Sequence, residues 1–189
     1  MENRCEWAQK NELMCKYHDE EWGKPLHDDQ KIFEFLILEG MQAGLSWLTV
    51  LKKREAFRLA YEGFDVAKVA LFDECKMEEL MTNAGIIRNR LKIQASINNA
   101  IRFLEVAEEF GSFDRYIWSF VNGCPIINQW EKITDLPAKT DLSDEISADL
   151  KQRGFKFVGS TIVYAHMQAT GMVNNHLIHC LCHPQHRII

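Results

Sequence analysis

Leu38-Glu39-Gly40-Met41-Gln42-Ala43-Gly44-Leu45-Ser46-Trp47 separates two apolar runs, Ile32-Phe33-x-Phe35-Leu36-Ile37 before it and Trp47-Leu48-x-Val50-Leu51 after it. Both runs have helical spacing, so the stretch reads as a short break between two core-facing helices, with a carboxylate, two glycines and an indole in the break. Carboxylates are rarely buried without a partner. Glu39, ending an apolar run, is therefore either met by a donor or kept for a ligand, or it is a partly exposed residue at a plain helical corner. Gly40 and Gly44 permit positive φ and a close approach of backbone or substrate.

Working outward, the same helical reading extends over most of the chain. Asp28 or Asp29 is the expected N-cap of the helix ending near Glu39. Ser46 caps a helix from Trp47 to about Tyr61, and Asp65 a short one through Leu71. Residues 77 to 93 read as a short helix, a tight turn at Gly85, and a long helix to Phe110. Leu91, Ile97, Ala100, Ile101 and Leu104 mark its apolar face, and Gly111 stops it. Phe113–Val121 makes another helix, broken by Asn122-Gly123-Cys124-Pro125, and residues 126 to 142 have no clear period. Amphipathic Ser143–Arg153 stops at Gly154, and Thr161–Thr170 stops at Gly171. A last helix starts at Asn174 or Asn175 and runs into Cys182-His183-Pro184. The segment before Gly23-Lys24-Pro25 is aromatic without periodicity, and no stretch alternates as a strand does. The expected class is all-α, a single domain over residues 1–189.

Composition narrows the function classes. Forty-seven per cent hydrophobic and 26% charged residues are ordinary for a water-soluble domain. No apolar run reaches membrane-spanning length and the start, Met1-Glu2-Asn3-Arg4-Cys5, is no signal peptide, so a cytoplasmic protein is expected. A net charge of −5 argues against a generally basic nucleic-acid coat but leaves room for a local basic patch.

Three constellations carry chemistry. His176-Leu177-Ile178-His179-Cys180-Leu181-Cys182-His183 holds five candidate ligands in eight residues. In a reducing compartment such clusters suit zinc better than disulfides. His176 and Cys180, four apart, would share one face of a helix. Cys5 and His18 are the best remote candidates for a second pair, with His179, Cys182 and His183 as rivals, and buried thiols beside surface imidazoles as the plain alternative. The Gly85 turn exposes helix-start N–H groups suited to a phosphate, with Arg88, Arg90 and Lys92 just beyond it. Trp7, Tyr17, Trp22 and Trp47 are either core or a stacking box, which together with Glu39 would suit a planar cationic base.

Together these segments resemble the bacterial DNA-3-methyladenine glycosylase I family of the helix-hairpin-helix superfamily. The resemblance is carried by Arg4-Cys5-x-Trp7, Tyr17-His18-Asp19-x-x-Trp22-Gly23, Leu38-Glu39-Gly40-x-Gln42-Ala43-Gly44-Leu45-Ser46-Trp47, Leu51-Lys52-Lys53-Arg54-Glu55, Ala84-Gly85-Ile86-Ile87-Arg88, Trp118-Ser119-Phe120-Val121-Asn122, Arg153-Gly154-Phe155-Lys156-Phe157-Val158-Gly159, and Val173-Asn174-x-His176 with Cys180. It implies a helix-hairpin-helix fold and a structural zinc held by Cys5, His18, His176 and Cys180, joining the two ends of the chain. It implies a base pocket in which Glu39 and Tyr17 hydrogen-bond the excised base while Trp22, Trp47 and Trp7 wall it. Gly44, Leu45, Gly85 and Arg88 would face double-stranded DNA. The implied reaction is hydrolysis of the N-glycosidic bond of 3-methyladenine in double-stranded DNA. No Lys suggests itself at a hairpin-proximal nucleophile position, so a monofunctional enzyme without a lyase step is expected, and a monomer is the default. Met41 stands where the family carries a polar residue, a departure expected to affect DNA contact. The wider superfamily uses an Asp after the hairpin, for which Asp114 is a positional candidate. A zinc-stabilised module that binds damage without cutting, and a zinc hydrolase with an open coordination position, are the competing readings.

Overall fold

The computed structural model describes residues 4–186, and Met1, Glu2 and Asn3 of the start judged above fall outside them. The described residues form nine α-helices and two very short strands: α1 (Glu12–Glu20), α2 (Asp29–Gln42), α3 (Trp47–Ala60), α4 (Val66–Val69), α5 (Glu74–Thr82), α6 (Arg90–Phe110), α7 (Phe113–Ser119), β1 (Ile126–Ile127), α8 (Asp141–Gln152), α9 (Ser160–Ala169) and β2 (Val173–Asn174). No described helix is long and apolar enough to cross a membrane.

Side-chain caps start the helices where the sequence has short polar residues. Asp28 accepts from Lys31 N, Ser46 from Thr49 N, Asp65 from Lys68 N and Asn89 from Lys92 N. Gly111, in the left-handed region, ends α6 as expected.

Four expectations are corrected. Glu39 and Gly40 lie inside α2, and the break is confined to residues 43–46. The N-terminal segment contains a regular helix, α1, capped by Asn11, whose side chain accepts from Leu13 N. In α6, Leu91 is 68% exposed and Ile101 and Leu104 are also exposed, whereas Ile93, Ser96, Asn99, Ala100, Phe103 and Val106 face inward. The buried stripe contains polar positions satisfied from outside the helix: Tyr61 and Ser96 join hydroxyls at 3.0 Å, and Asn99 binds the backbone of Lys156. Counting apolar residues alone therefore picks the wrong face.

The fourth correction is the C-terminal helix, which does not form. Val173 and Asn174 instead pair in parallel with Ile126 and Ile127. Asn174 Oδ1 then accepts from His176 N, Cys5 Sγ from Leu177 N and the Trp130 carbonyl from Ile178 N. The N–H groups that a helix would need are thus spent on outside partners.

α2 is the central element, nearly every residue from Ile32 to Met41 being buried. A buried ion pair ties it to its neighbours: Arg54 of α3 donates through Nε to Glu34 of α2 at 2.5 Å and through Nη1 to Glu21 at 2.8 Å. Its guanidinium lies 4.9 Å from the Phe35 ring centre. Arg58 reaches the same Glu34 oxygen from a more exposed position. Removing one partner of a buried pair strands a charge. Arg54→Ala is therefore expected to cost about 3 kcal/mol in urea denaturation, whereas Arg58→Ala, losing a more exposed partner, should cost under about 1 kcal/mol.

Candidate active site and metal-donor cluster

Near the end of α2, Glu39 turns toward a cavity of about 240 Å³ lined by Trp7, Met14, Tyr17, Trp22, Glu39, Gln42, Trp47, Ile133, Leu136, Ala165 and Gln168. Tyr17 comes from α1, Trp47 from the first position of α3, and Ala165 with Gln168 from α9. All four aromatic residues predicted for the box are present. Tyr17 lies 5.2 Å from Trp47 and 6.4 Å from Trp7, and Trp7 meets Trp22 edge-on at 5.0 Å. Met14, Ala165, Gln168, Ile133 and Leu136 escaped the sequence reading. The first three show no spacing that separates them from ordinary helix residues, and the last two sit in the aperiodic 126–142 stretch around a single 3-10 turn (Ile133–Asp135).

Glu39 is 4% exposed, and its Oε2 has no hydrogen-bond partner among the described residues; neither has Trp47 Nε1. Two orphaned buried polar atoms facing one cavity are rare in a folded protein and mark a place for a ligand. Desolvation pushes the Glu39 carboxyl up to about 8. Burial, together with the nearby Glu39 and Glu21 carboxylates, holds the Tyr17 phenol well above its ordinary value, so it remains protonated.

Behind the aromatic wall lies a second cluster. Cys5, His18, His176 and Cys180 are all buried, with one donor atom from each within 4.8 Å of the others. His176 Nδ1 is 3.1 Å from His18 Nε2, 3.6 Å from Cys180 Sγ and 3.9 Å from Cys5 Sγ, and Cys180 Sγ is 3.5 Å from His18 Nε2. A tetrahedron with zinc–ligand bonds of 2.0–2.3 Å has edges of roughly 3.3–3.8 Å, so donor type and spacing fit that ion. The ring nitrogens facing away are engaged: His18 Nδ1 meets Asp19 Oδ1 at 2.7 Å and His176 Nε2 meets the Trp22 carbonyl at 3.0 Å. Each contact places the proton on the outer nitrogen and leaves a lone pair pointing into the cluster. Arg4 in turn grips Asp19 through both carboxylate oxygens. Cys182 is not among the four, its thiol approaching Asp19 instead, and His183 Nε2 faces the Asn128 carbonyl.

The cluster and the cavity share walls. His176 meets the Trp22 ring at 4.7 Å, and His18 meets the Trp7 ring at 5.3 Å.

Just beyond Glu39, the C-terminal end of α2 opens onto the surface. Gly44 takes φ +79 in the break, which lets the chain reverse and leaves Leu45 44% exposed. Lys92, from the first turn of α6, donates to the Met41 and Ala43 carbonyls, closing the end of α2. At the α5–α6 turn a Cβ on Gly85 would stand 2.9 Å from the Ala56 side chain, so only glycine fits there, and Lys53 donates to the Ala84 and Gly85 carbonyls.

Of the three cations beyond that turn, Arg90 pairs with Glu74 and Glu78 and Lys92 is committed to backbone, while Arg88 is exposed and makes no ion pair among the described residues. Met41 is buried in the core, so it has no direct route to a DNA strand. Asp114 meets His27 at 2.8 Å and lies outside the cavity lining, which removes it as a candidate for the reacting centre.

Comparison with known proteins agrees with this arrangement. The chain matches the methyladenine glycosylase family over residues 7–183. It is 49% identical to DNA-3-methyladenine glycosylase 1 of Escherichia coli (strain K12) over 181 residues, covering 96% of this chain and 97% of that one. It is 46% identical to DNA-3-methyladenine glycosylase of Haemophilus influenzae over 182 residues, covering 96% and 98%. Among solved structures, that giving the structural basis of 3-methyladenine recognition by 3-methyladenine DNA glycosylase I from Staphylococcus aureus matches with a TM-score of 0.93 at 40% identity, over 96% of this chain and 97% of that one. An all-α fold, an aromatic cavity around one carboxylate and 49% identity over nearly the whole chain lead to one assignment: the chain belongs to the methyladenine glycosylase family.

Proposed function

We propose that this chain is a DNA base-excision glycosylase that hydrolyses the N-glycosidic bond of 3-methyladenine in alkylated double-stranded DNA, leaving an abasic site. The observation that carries the reading is the unpartnered Glu39 carboxylate oxygen beside the unpartnered Trp47 indole N–H in an aromatic cavity the size of one flat heterocycle. A purine alkylated at N3 is cationic in DNA. Trp7, Trp22, Trp47 and Tyr17 supply faces that attract a planar cation, and Glu39 supplies the charge-assisted contact at its edge. Ordinary adenine has no positive charge to repay the desolvation of that carboxylate, which supplies selectivity.

When the bond between C1′ and the base breaks, the electron pair leaves with the base, which departs neutral, and water adds at the sugar C1′ and gives up a proton to solvent. Because the charge that Glu39 meets exists before the bond breaks, Glu39 acts chiefly in recognition. A lyase step needs an amine nucleophile at the sugar. Burial lowers the Lys92 ammonium, a change in the direction a nucleophile needs, but its donors are taken by backbone carbonyls and it does not line the cavity. Lys53 is similarly bound to the Ala84 and Gly85 carbonyls. A monofunctional hydrolase follows.

The duplex is placed across the surface where α2 ends. The α5–α6 turn at Gly85, a helix-hairpin-helix with Arg88 beside it, holds the phosphate backbone, and Leu45, projected by Gly44, fills the space vacated by the extruded nucleotide. Cys5, His18, His176 and Cys180 hold a structural zinc that closes its own coordination sphere and fixes the walls of the base pocket.

Release of 3-methyladenine from methylated duplex DNA, followed chromatographically, tests the reading; absence of the free base would defeat it. Glu39→Gln is expected to lower kcat/KM by about ten- to a hundredfold at pH 8, mainly through KM, since a neutral amide replaces a charge-assisted contact. With the Glu39 pKa raised to about 8 from 4.5, the folded state keeps a proton that the unfolded state has released, so this residue's contribution to stability falls as pH rises from 4.5 through 8. Glu39→Gln should therefore stabilise the free protein at pH 8.5 by up to about 5 kcal/mol, with little effect at pH 4, in thermal or urea unfolding. Wild-type affinity for the cationic base in DNA should rise with pH toward 8 and lose that slope in Glu39→Gln. Chelation or Cys180→Ala should release close to one zinc per chain, measured by elemental analysis, and lower the melting temperature by more than 10 °C, whereas a catalytic ion would leave the fold stable and the reaction dead.

A further inference from the structure

Between α8 and α9 the chain alternates in a way that neither the base pocket nor the metal cluster uses. Phe155 and Val158 are buried, while Lys156 and Phe157 between them face solvent, Phe157 being 37% exposed. Phe157 also takes φ +55, a conformation that a bulky residue adopts at a cost and keeps where its surroundings dictate it. Phe64 shares that sign of φ but is fully buried, so packing accounts for it; Phe157 has no such explanation.

The surroundings do dictate it. Asn99, buried on α6, accepts from Lys156 N at 2.8 Å and donates to Lys156 O at 2.9 Å, gripping the peptides on both sides of that residue. Asn98 donates to Gly154 O and Ser147 to Val158 O, so the turn is fastened before and after the projecting pair. Two polar residues from α6 and one from α8 are spent on holding an aromatic ring where it is half out of the protein.

Its place is informative. Phe157 lies over Gly40 of α2, where an added Cβ would stand 3.5 Å from the Phe157 Cβ, and it lines a narrow crevice with Met41, Lys92 and Asn99. Lys92 in that crevice also binds Ala43 O, one residue before Gly44 and Leu45. The 154–159 turn, the Leu45 loop and the start of α6 therefore flank one point, the C-terminal end of α2. The exposed cations there, Lys156 and Arg88, make no ion pair among the described residues.

We propose that Phe157 and Lys156 form an additional DNA-contacting element, the ring packing against the base step beside the extruded nucleotide and the ammonium meeting the adjacent phosphate. The proposal rests on the reading of this chain as a DNA glycosylase and adds a second apolar contact to that of Leu45. An aromatic face gains from any exposed base, whatever its identity, which suits an enzyme that must find damage in every sequence context. Because the ring is held in place before DNA arrives, little ordering is lost on binding.

The test uses the full chain and three variants, Phe157→Gly, Phe157→Tyr and Lys156→Ala. Two affinities are measured: for a fluorescent duplex containing an abasic-site analogue, by anisotropy, and for free 3-methyladenine, by quenching of tryptophan fluorescence. Phe157→Gly relieves the backbone but removes the ring. It should weaken duplex binding about tenfold and leave free-base binding within twofold of wild type. Phe157→Tyr should bind the duplex like wild type, and Lys156→Ala should reduce the salt dependence of duplex binding by about one phosphate contact. Duplex binding unchanged in Phe157→Gly would overturn the proposal, as would a parallel loss of both affinities, the mark of a ring that merely supports α2. A wild type that fails to bind the duplex at all would refute the underlying glycosylase reading instead, and the proposal with it.

Discussion

Two thiols and two imidazoles, from positions 5, 18, 176 and 180, meet at one buried point, and the aromatic side of the cavity around Glu39 is built outward from it. Trp22 is held through its carbonyl by His176, and Trp7 stands against His18. Tyr17 precedes His18 on the same short helix. Three of the rings that enclose Glu39 therefore owe their positions to residues nearly a whole chain length apart. A helix of nine residues has little stability of its own, so α1 depends on this junction more than on its own propensity.

The floor of the cavity obeys a different constraint. α2 is buried nearly all round, and such a helix has no energetic reason to carry a carboxylate near its end. Glu34, one turn and a residue earlier, is matched by Arg54 and Arg58, whereas Glu39 has a carboxylate oxygen with no partner. The contrast separates two uses of the same residue type on one helix. The first braces α2 to α3. The second is left unsatisfied, a cost to the empty protein that a cationic guest would repay.

Much of this was legible in the sequence wherever the information was local. Short polar caps and the glycine after α6 act within a few residues, and they mark the helix ends well. The stretch around Glu39 announced itself because a charge ends an apolar run. What could not be read were decisions taken over long distances. The C-terminal residues look helical until Cys5, Trp130 and Asn174 claim their N–H groups, so the four-residue spacing of His176 and Cys180 is met by a turn and not by a helical face. The buried face of α6 was misjudged because Ser96 and Asn99 satisfy themselves on Tyr61 and Lys156. Spacing alone left Cys182 and His183 as rival ligands; the family resemblance excluded them, and in the structure both turn to other partners.

The cavity also has a side that belongs to neither the helices nor the cluster. Ile133 and Leu136 come from the irregular stretch between β1 and α8, moored by Trp130 and Asn128, whose side chains both donate to Asn175. The two differ: Leu136 packs against the buried cluster that holds Cys5 and Cys180, whereas Ile133 is exposed and can be exchanged without disturbing the donors at the chain ends. Ile133 is thus the wall position at which the width of the cavity can change most cheaply, with the carboxylate and its rings left where they are.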